Sequence, residues 1–404
     1  MKVKFVVAEL KQRLAELGAV VGKKSDEALY RSIRFFTDAE GVVNVQGIDI
    51  DTTMTLKLPA AKADGALNLL TDYAFLNSIV PTLGAAELVI ASKSETEAVI
   101  SSGNYLGRLK TSPTAAFTDL PIVAGISEKP ELGGYTFGLP GLKAQIESID
   151  FAVPAAEGRH VVASALLAES NNILNIVGTD GYALAINTSS SDIGEFSFTM
   201  PKPALEILKK LEGGPKVTIS DTEGSFFFET ELELVTYNKT HAEFPPYQTI
   251  IPKAGSHNTH ITFKDKGELV SALERLKPSC ALVGTAEVKE RAVNFDYDGA
   301  STVRLAAVKE DKLATGSIFT DLASDKITVE GTGEPIKIKL DVLKILPFFA
   351  RATFPVTVHL RAFNAIADMH AAGGTPEKPT YRFLVMPMRG DDDKGGSIPI
   401  PPVE

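Results

Sequence analysis

A single cysteine, Cys280, in 404 residues leaves no partner in the chain for a disulfide. No disulfide framework can hold this fold together, and a buried, inert thiol in a reducing cytoplasm is the expectation. Long apolar runs are missing too: Ile345 to Ala350 is far too short to span a bilayer and contains Pro347. At the N-terminus, Glu9 and Lys11 interrupt the apolar stretch that a secretion signal would need. Nor is there an excess of positive charge. The net charge is −10, which argues against a protein that coats nucleic acid with basic surface, although a local basic face remains compatible with it. No G-x-x-x-x-G-K-[ST] phosphate loop and no G-x-S-x-G nucleophile elbow occurs. His257 and His260 form an H-x-x-H pair, but in a Gly/Ser/Asn-rich joint without a third ligand, so solvated loop histidines are expected there. Asp49 with Asp51, and Asp296 with Asp298, recur at equivalent hairpin turns, which favours turn chemistry over an acid/base pair. Neither a metal, a cofactor nor a catalytic centre is expected.

What is present is a repeat. The apolar and charged fractions, 44% and 23%, suit soluble globular structure, and the length suits two to four domains. Three segments open with a short strand that runs into an amphipathic helix. They are Val3 to Phe5 into Leu10, Leu14 and Leu17; Tyr135 to Phe137 into Leu142, Ile146 and Ile149; and Ile261 to Phe263 into Leu269, Leu273 and Leu276. A hairpin with an acidic turn follows in each: VNVQGIDIDTTMTLKL ending at Leu58, LNIVGTDGYALAI ending at Ile186, and VNFDYDGASTVRLAAV ending at Val308. Second helices are expected over Ala66 to Leu83, Lys202 to Leu211 and Leu340 to Ala352, with further strands closing each module. Agreement in the order of these features favours duplication over three unrelated α+β domains. The modules run 1–128, 129–254 and 255–389, with Gly/Pro-rich joints between them. The acidic, Pro-rich tail 390–404 has no packing pattern and is expected to be disordered.

Three local sequences then carry a resemblance. GTDGYALAI (Gly178 to Ile186) resembles a TDGHRLA hairpin, FPPYQTIIP (Phe244 to Pro252) resembles F-P-D-Y-x-x-x-I-P, and FLVMPMR (Phe383 to Arg389) resembles a C-terminal V-M-P-M-R. All three belong, in this order, to the β subunit of bacterial DNA polymerase III, the sliding-clamp family, and the resemblance covers residues 1–389. It implies an α+β fold of three repeated clamp domains, each with two helices on antiparallel sheets. It further implies a head-to-tail homodimer closed into a ring around double-stranded DNA, acting as a non-catalytic, cytoplasmic processivity factor without cofactors. The implied partners are the polymerase catalytic subunit, the clamp loader and other proteins carrying clamp-binding motifs.

The resemblance also implies sites. Cations facing DNA would be Lys11 and Arg13, the loop pair Lys23 and Lys24, Lys143, Lys202, Lys209, Lys210, Arg275, Lys277, Lys344 and Arg351. Such groups contact phosphates without reading sequence, although for any single lysine a plain solvated helix face is the simpler account. A partner-peptide pocket would comprise Val162, Thr179, Gly181, Tyr182 and Leu184, then Pro245, Thr249 and Ile250, then Phe363, Leu384, Met386, Pro387, Met388 and Arg389. Methionine and proline offer an apolar groove that re-packs around different peptides; for Leu184 and Leu384 an ordinary core position is the alternative. Cys280, Ala281 and Leu282 are the candidate dimer contact. Departures from the family pattern gather at the pocket: Tyr182-Ala183 replaces a His-Arg pair, and Pro246 replaces an Asp. Two other readings therefore stay open. One is a phage, plasmid or resistance-locus paralogue with altered partner preference; the other is an enzyme on a repeated α/β scaffold.

Overall fold

The computed structural model describes residues 1–22, 27–124, 134–155, 163–239, 243–281, 292–313, 316–375 and 378–388. Its helices are α1 (Val7–Leu17), α2 (Tyr73–Ile79), α3 (Ala115–Thr118), α4 (Pro121–Ala124), α5 (Leu139–Ile149), α6 (Lys202–Lys210), α7 (Lys266–Ala281) and α8 (Val342–Arg351). All nine apolar positions that define the repeat's first helices, from Leu10 to Leu276, are buried. A stripe at spacings of three and four faces one side of each helix, and its burial against a sheet is what holds the helix in place.

The chain divides into two compact units, Met1–Lys143 with Pro203–His241 and Ala144–Lys202 with Ala242–Glu404. In the first, the described strands form one antiparallel sheet of thirteen. Within it Glu233–Asn238 pairs with Thr52–Leu58, setting Val235 opposite Met54, so the sheet continues across the boundary between the first two sequence modules. The second unit carries a nine-stranded and a four-stranded sheet. In the nine-stranded sheet Ala183–Ser190 pairs with Tyr381–Val385, and Leu184 stands opposite Leu384.

The hairpins carry a second mark of duplication. Gly47 and Gly178 occupy the same place in their hairpins. A Cβ on Gly47 would lie 2.4 Å from Val21 Cγ2, and one on Gly178 would lie 2.8 Å from the Ile149 carbonyl and 2.9 Å from Val153 Cγ2. In both, the chain at the end of the module's first helix presses onto the strand, and only glycine admits that approach.

One expected helix is shorter than its sequence pattern. Asn68–Asp72 is a strand, paired with Ser32–Thr37 on one side and Tyr105–Ser112 on the other. Only then does α2 begin, with the Asp72 carboxylate accepting from Phe75 N at 2.7 Å. Ladder pairing on both edges overrides the local helical pattern, and the N-cap fixes where the helix starts.

Candidate functional site

The GTDGY hairpin builds itself around Asp180. Its Oδ1 accepts from Tyr182 N at 3.0 Å and Ala183 N at 2.8 Å, and Gly181 takes φ +81°, a conformation that favours glycine. Thr179 Oγ1 donates to the Ala183 carbonyl at 2.8 Å. The same device recurs in the third module, where Asp298 Oδ1 accepts from the backbone of Ala300, Ser301 and Thr302. These aspartates serve turn geometry.

Around that hairpin the structure gathers most of the predicted pocket. Leu184 and Leu384 are 1% and 2% exposed and join Val177 and Ile186 in one apolar cluster. They are core, and they form the floor on which the rest is laid. Phe244, Tyr247, Ile251 and Ile366 pack against this cluster. Tyr247–Ile250 is a turn of 3-10 helix that leaves Thr249 and Ile250 exposed, with Pro245 half-buried. Met386, Pro387 and Met388 are half-buried; Met386 N donates to the Tyr182 carbonyl at 2.9 Å and Met388 N to the Lys339 carbonyl at 2.8 Å. Tyr182 and Phe363 are 66% and 53% exposed. Burial, more than any polar contact, raises the Tyr247 phenol above its ordinary range. The result is an apolar surface with exposed aromatic and aliphatic groups and a buried floor. Val162 and Arg389 lie outside the described residues, as do Lys23, Lys24, Leu282, the tail and the side chains of Cys280 and Ala281.

The cations predicted to face DNA separate into two groups. Lys11, Lys210 and Lys277 are exposed, and Lys143 is half-buried. Others are committed within the protein. Arg13 is only 5% exposed and pairs with Glu16 at 2.5 Å, so its expected outward role is corrected. Lys344 binds the Asp180 carboxylate and sits 5.5 Å from the Tyr182 ring centroid, which makes it a support of the hairpin. Arg351 pairs with Asp150 at 3.3 Å, Arg275 with Asp325, and Lys209 with Glu206 at 2.8 Å, while Lys202 donates to the Val153 carbonyl at 2.5 Å.

The H-x-x-H pair also departs from expectation, because it is not solvated. His260 lies in the strand Thr259–Phe263 with its Nδ1 2.6 Å from His359 Nδ1, and the His257 side chain is 10% exposed. Both belong to a group that local sequence could not reveal: His257, His260, His359 and His370 around a fully buried Asp368, which accepts from Arg382 at 2.9 and 2.6 Å. Burial tends to raise the Asp368 pKa, but hydrogen bonds from His370 and Arg382 outweigh it and hold the carboxyl at about 2. Burial and then the neighbouring His370 push His359 down to about 3, and burial also lowers His257. Among the described residues no three His, Cys, Asp or Glu side chains are grouped as ligands for a metal ion, and no helix is long and apolar enough to cross a membrane.

No family model matches the chain. The beta sliding clamp of Chlamydia pneumoniae is 24% identical over 402 residues, covering 96% of this chain and 100% of that protein. The DNA polymerase sliding clamp of Bacillus subtilis superposes with a TM-score of 0.80 at 18% identity, over 96% of this chain and 99% of that one. For the DNA polymerase III beta chain of Streptococcus pneumoniae the TM-score is 0.81 at 15% identity, over 96% and 100%. Along nearly its whole length the chain is similar to beta sliding clamps and shares their fold. Where the resemblance implies a His-Arg pair, the hairpin presents Tyr182 and Ala183, with Lys344 Nζ 5.5 Å from the Tyr182 ring centroid.

Proposed function

We propose that the chain is a DNA sliding clamp: two copies associate head to tail into a ring that encircles duplex DNA and tethers the replicative polymerase. The observation that carries this reading is end-to-end similarity to beta sliding clamps, over 96% of this chain and the whole of the Chlamydia pneumoniae protein. Three clamp modules per chain, 1–128, 129–254 and 255–389, give two chains six modules with which to close a ring. The clamp is non-catalytic and acts in the cytoplasm. Lys11, Lys143, Lys210 and Lys277 are its principal phosphate-contacting groups, and their attraction is independent of sequence. Self-association engages Leu106, 74% exposed on the strand Tyr105–Ser112.

The apolar surface around Leu184 and Leu384 takes short peptides from the polymerase, the clamp loader and other partners, with apolar anchors supplying most of the affinity. Tyr182, Ala183 and Pro246 favour a second, narrower reading in which this clamp is a paralogue that selects different partner peptides. Retention on DNA tests the main proposal: loaded protein should remain on closed circles and run off linear DNA, and equal retention on both would overturn it. Swapping the polymerase in a processivity assay tests the narrower one.

A further inference from the structure

The histidine cluster and the peptide surface share one face of one sheet. Reading straight across five strands, His260 stands opposite His359, His359 opposite Asp368, Asp368 opposite Leu384, and Leu384 opposite Leu184. Directly opposed residues in antiparallel pairs project to the same side, so the imidazoles continue the row that forms the pocket floor. One segment crosses that face. Its Phe244, Tyr247 and Ile251 rest on Leu184 and Leu384, and a few residues later His257 packs on His359, ring centroids 5.6 Å apart, with its Nε2 3.9 Å from Asp368.

A proton on His359 would add positive charge where Arg382 already pairs with Asp368. Facing His359 are His257 from the crossing segment, His260, His370 and Asp368 from the neighbouring strands, and Arg382 from the strand beyond. Thr262 and Thr357, on the same face, are uncharged and bond each other, and Glu330 beyond them is ion-paired to Lys264 at the exposed edge. Asp368 is the one carboxylate in the group, and Arg382 already neutralises it through two hydrogen bonds. The short His260–His359 contact requires one Nδ1 to donate and the other to accept, so a proton on the acceptor abolishes it.

We infer that His257 and His359 form a proton-sensitive latch, whose protonation drives off His257 and loosens the 243–258 segment that carries Pro245, Thr249 and Ile250 of the peptide surface. Opening is coupled to proton uptake, because His359 is held at about 3 when the latch is closed and returns toward 6.5 when it opens. The sign follows: a depressed histidine pKa contributes stability that is complete above 6.5 and lost as pH falls toward 3. The consequence for peptides rests on the pocket reading above; the latch itself does not.

Hydrogen exchange on the full chain, corrected for intrinsic rates, tests it. Between pH 6.5 and 5 the opening of 243–258 should rise about tenfold per pH unit for each coupled proton, while the strand Val43–Ile48 changes little. His359→Gln should flatten that slope, and His257→Asn should reduce it; the second variant decides if the first fails to fold. A wild-type segment indifferent to pH, or variants that keep the wild-type slope, would overturn the latch. Binding of a fluorescein-labelled peptide with leucine and phenylalanine anchors at pH 7.5 reads the pocket separately. Its absence sinks the pocket reading, and the exchange slopes still decide the latch.

Discussion

Two buried charged residues show how little a formal charge says about role. Asp368 is 0% exposed and satisfied by Arg382 and His370, so removing its charge leaves a guanidinium without a partner in a dry setting. Asp368→Asn should cost about 3–5 kcal/mol, measured by denaturant unfolding at pH 7. The pH dependence has a definite sign. Its carboxyl is depressed to about 2, so its contribution is complete above about 3.8 and is lost as pH falls through 2. Arg13 is the opposite lesson, since a cation on an expected DNA-facing helix is turned inward onto Glu16. Arg13→Met should therefore alter thermal stability but leave the salt dependence of DNA binding intact. Lys11→Glu should weaken DNA association and reduce the slope of log affinity against log salt by about 0.9 per lost phosphate contact, measured by titration at several salt concentrations.

At the scale of elements, the hairpin Ile173–Ser190 concentrates several constraints in a few residues. Asp180 serves two backbone donors and Lys344 together, so Asp180→Ala should destabilise the protein by about 1–3 kcal/mol and weaken peptide binding, read by thermal melts and fluorescence anisotropy. Gly178 admits the close approach of Ile149 and Val153. Gly178→Ala overpacks that contact and should lower stability by about 1–3 kcal/mol, with the hairpin's own turn unaffected by circular dichroism. The α2 region shows why the same residues mislead in isolation. Asn68-Leu69-Leu70-Thr71-Asp72 is acceptable as helix until two strands offer it ladder partners, and that choice is made by residues more than thirty positions away.

For the whole molecule, the proposed ring makes self-association a requirement. Leu106→Asp should weaken the dimer at least tenfold, seen as a shift toward monomer in sedimentation velocity at micromolar concentration. Leu184→Ala would be a poor test of peptide binding, because that side chain is part of the core and its loss would cost stability first.

Periodicity and glycine placement determined the repeat, the first helices, the turn role of Asp180 and Asp298, and the motifs that carry the family resemblance. Those are local properties, written at spacings of two, three and four residues. Tertiary structure alone decided three things: that Leu184 and Leu384 are floor rather than wall, that Arg13 and Lys344 are tied up inside the protein, and that His257 and His260 meet His359 and His370. The first and third depend on strand register between residues up to two hundred positions apart, and register is fixed by which faces are buried together, a property no local window of sequence contains.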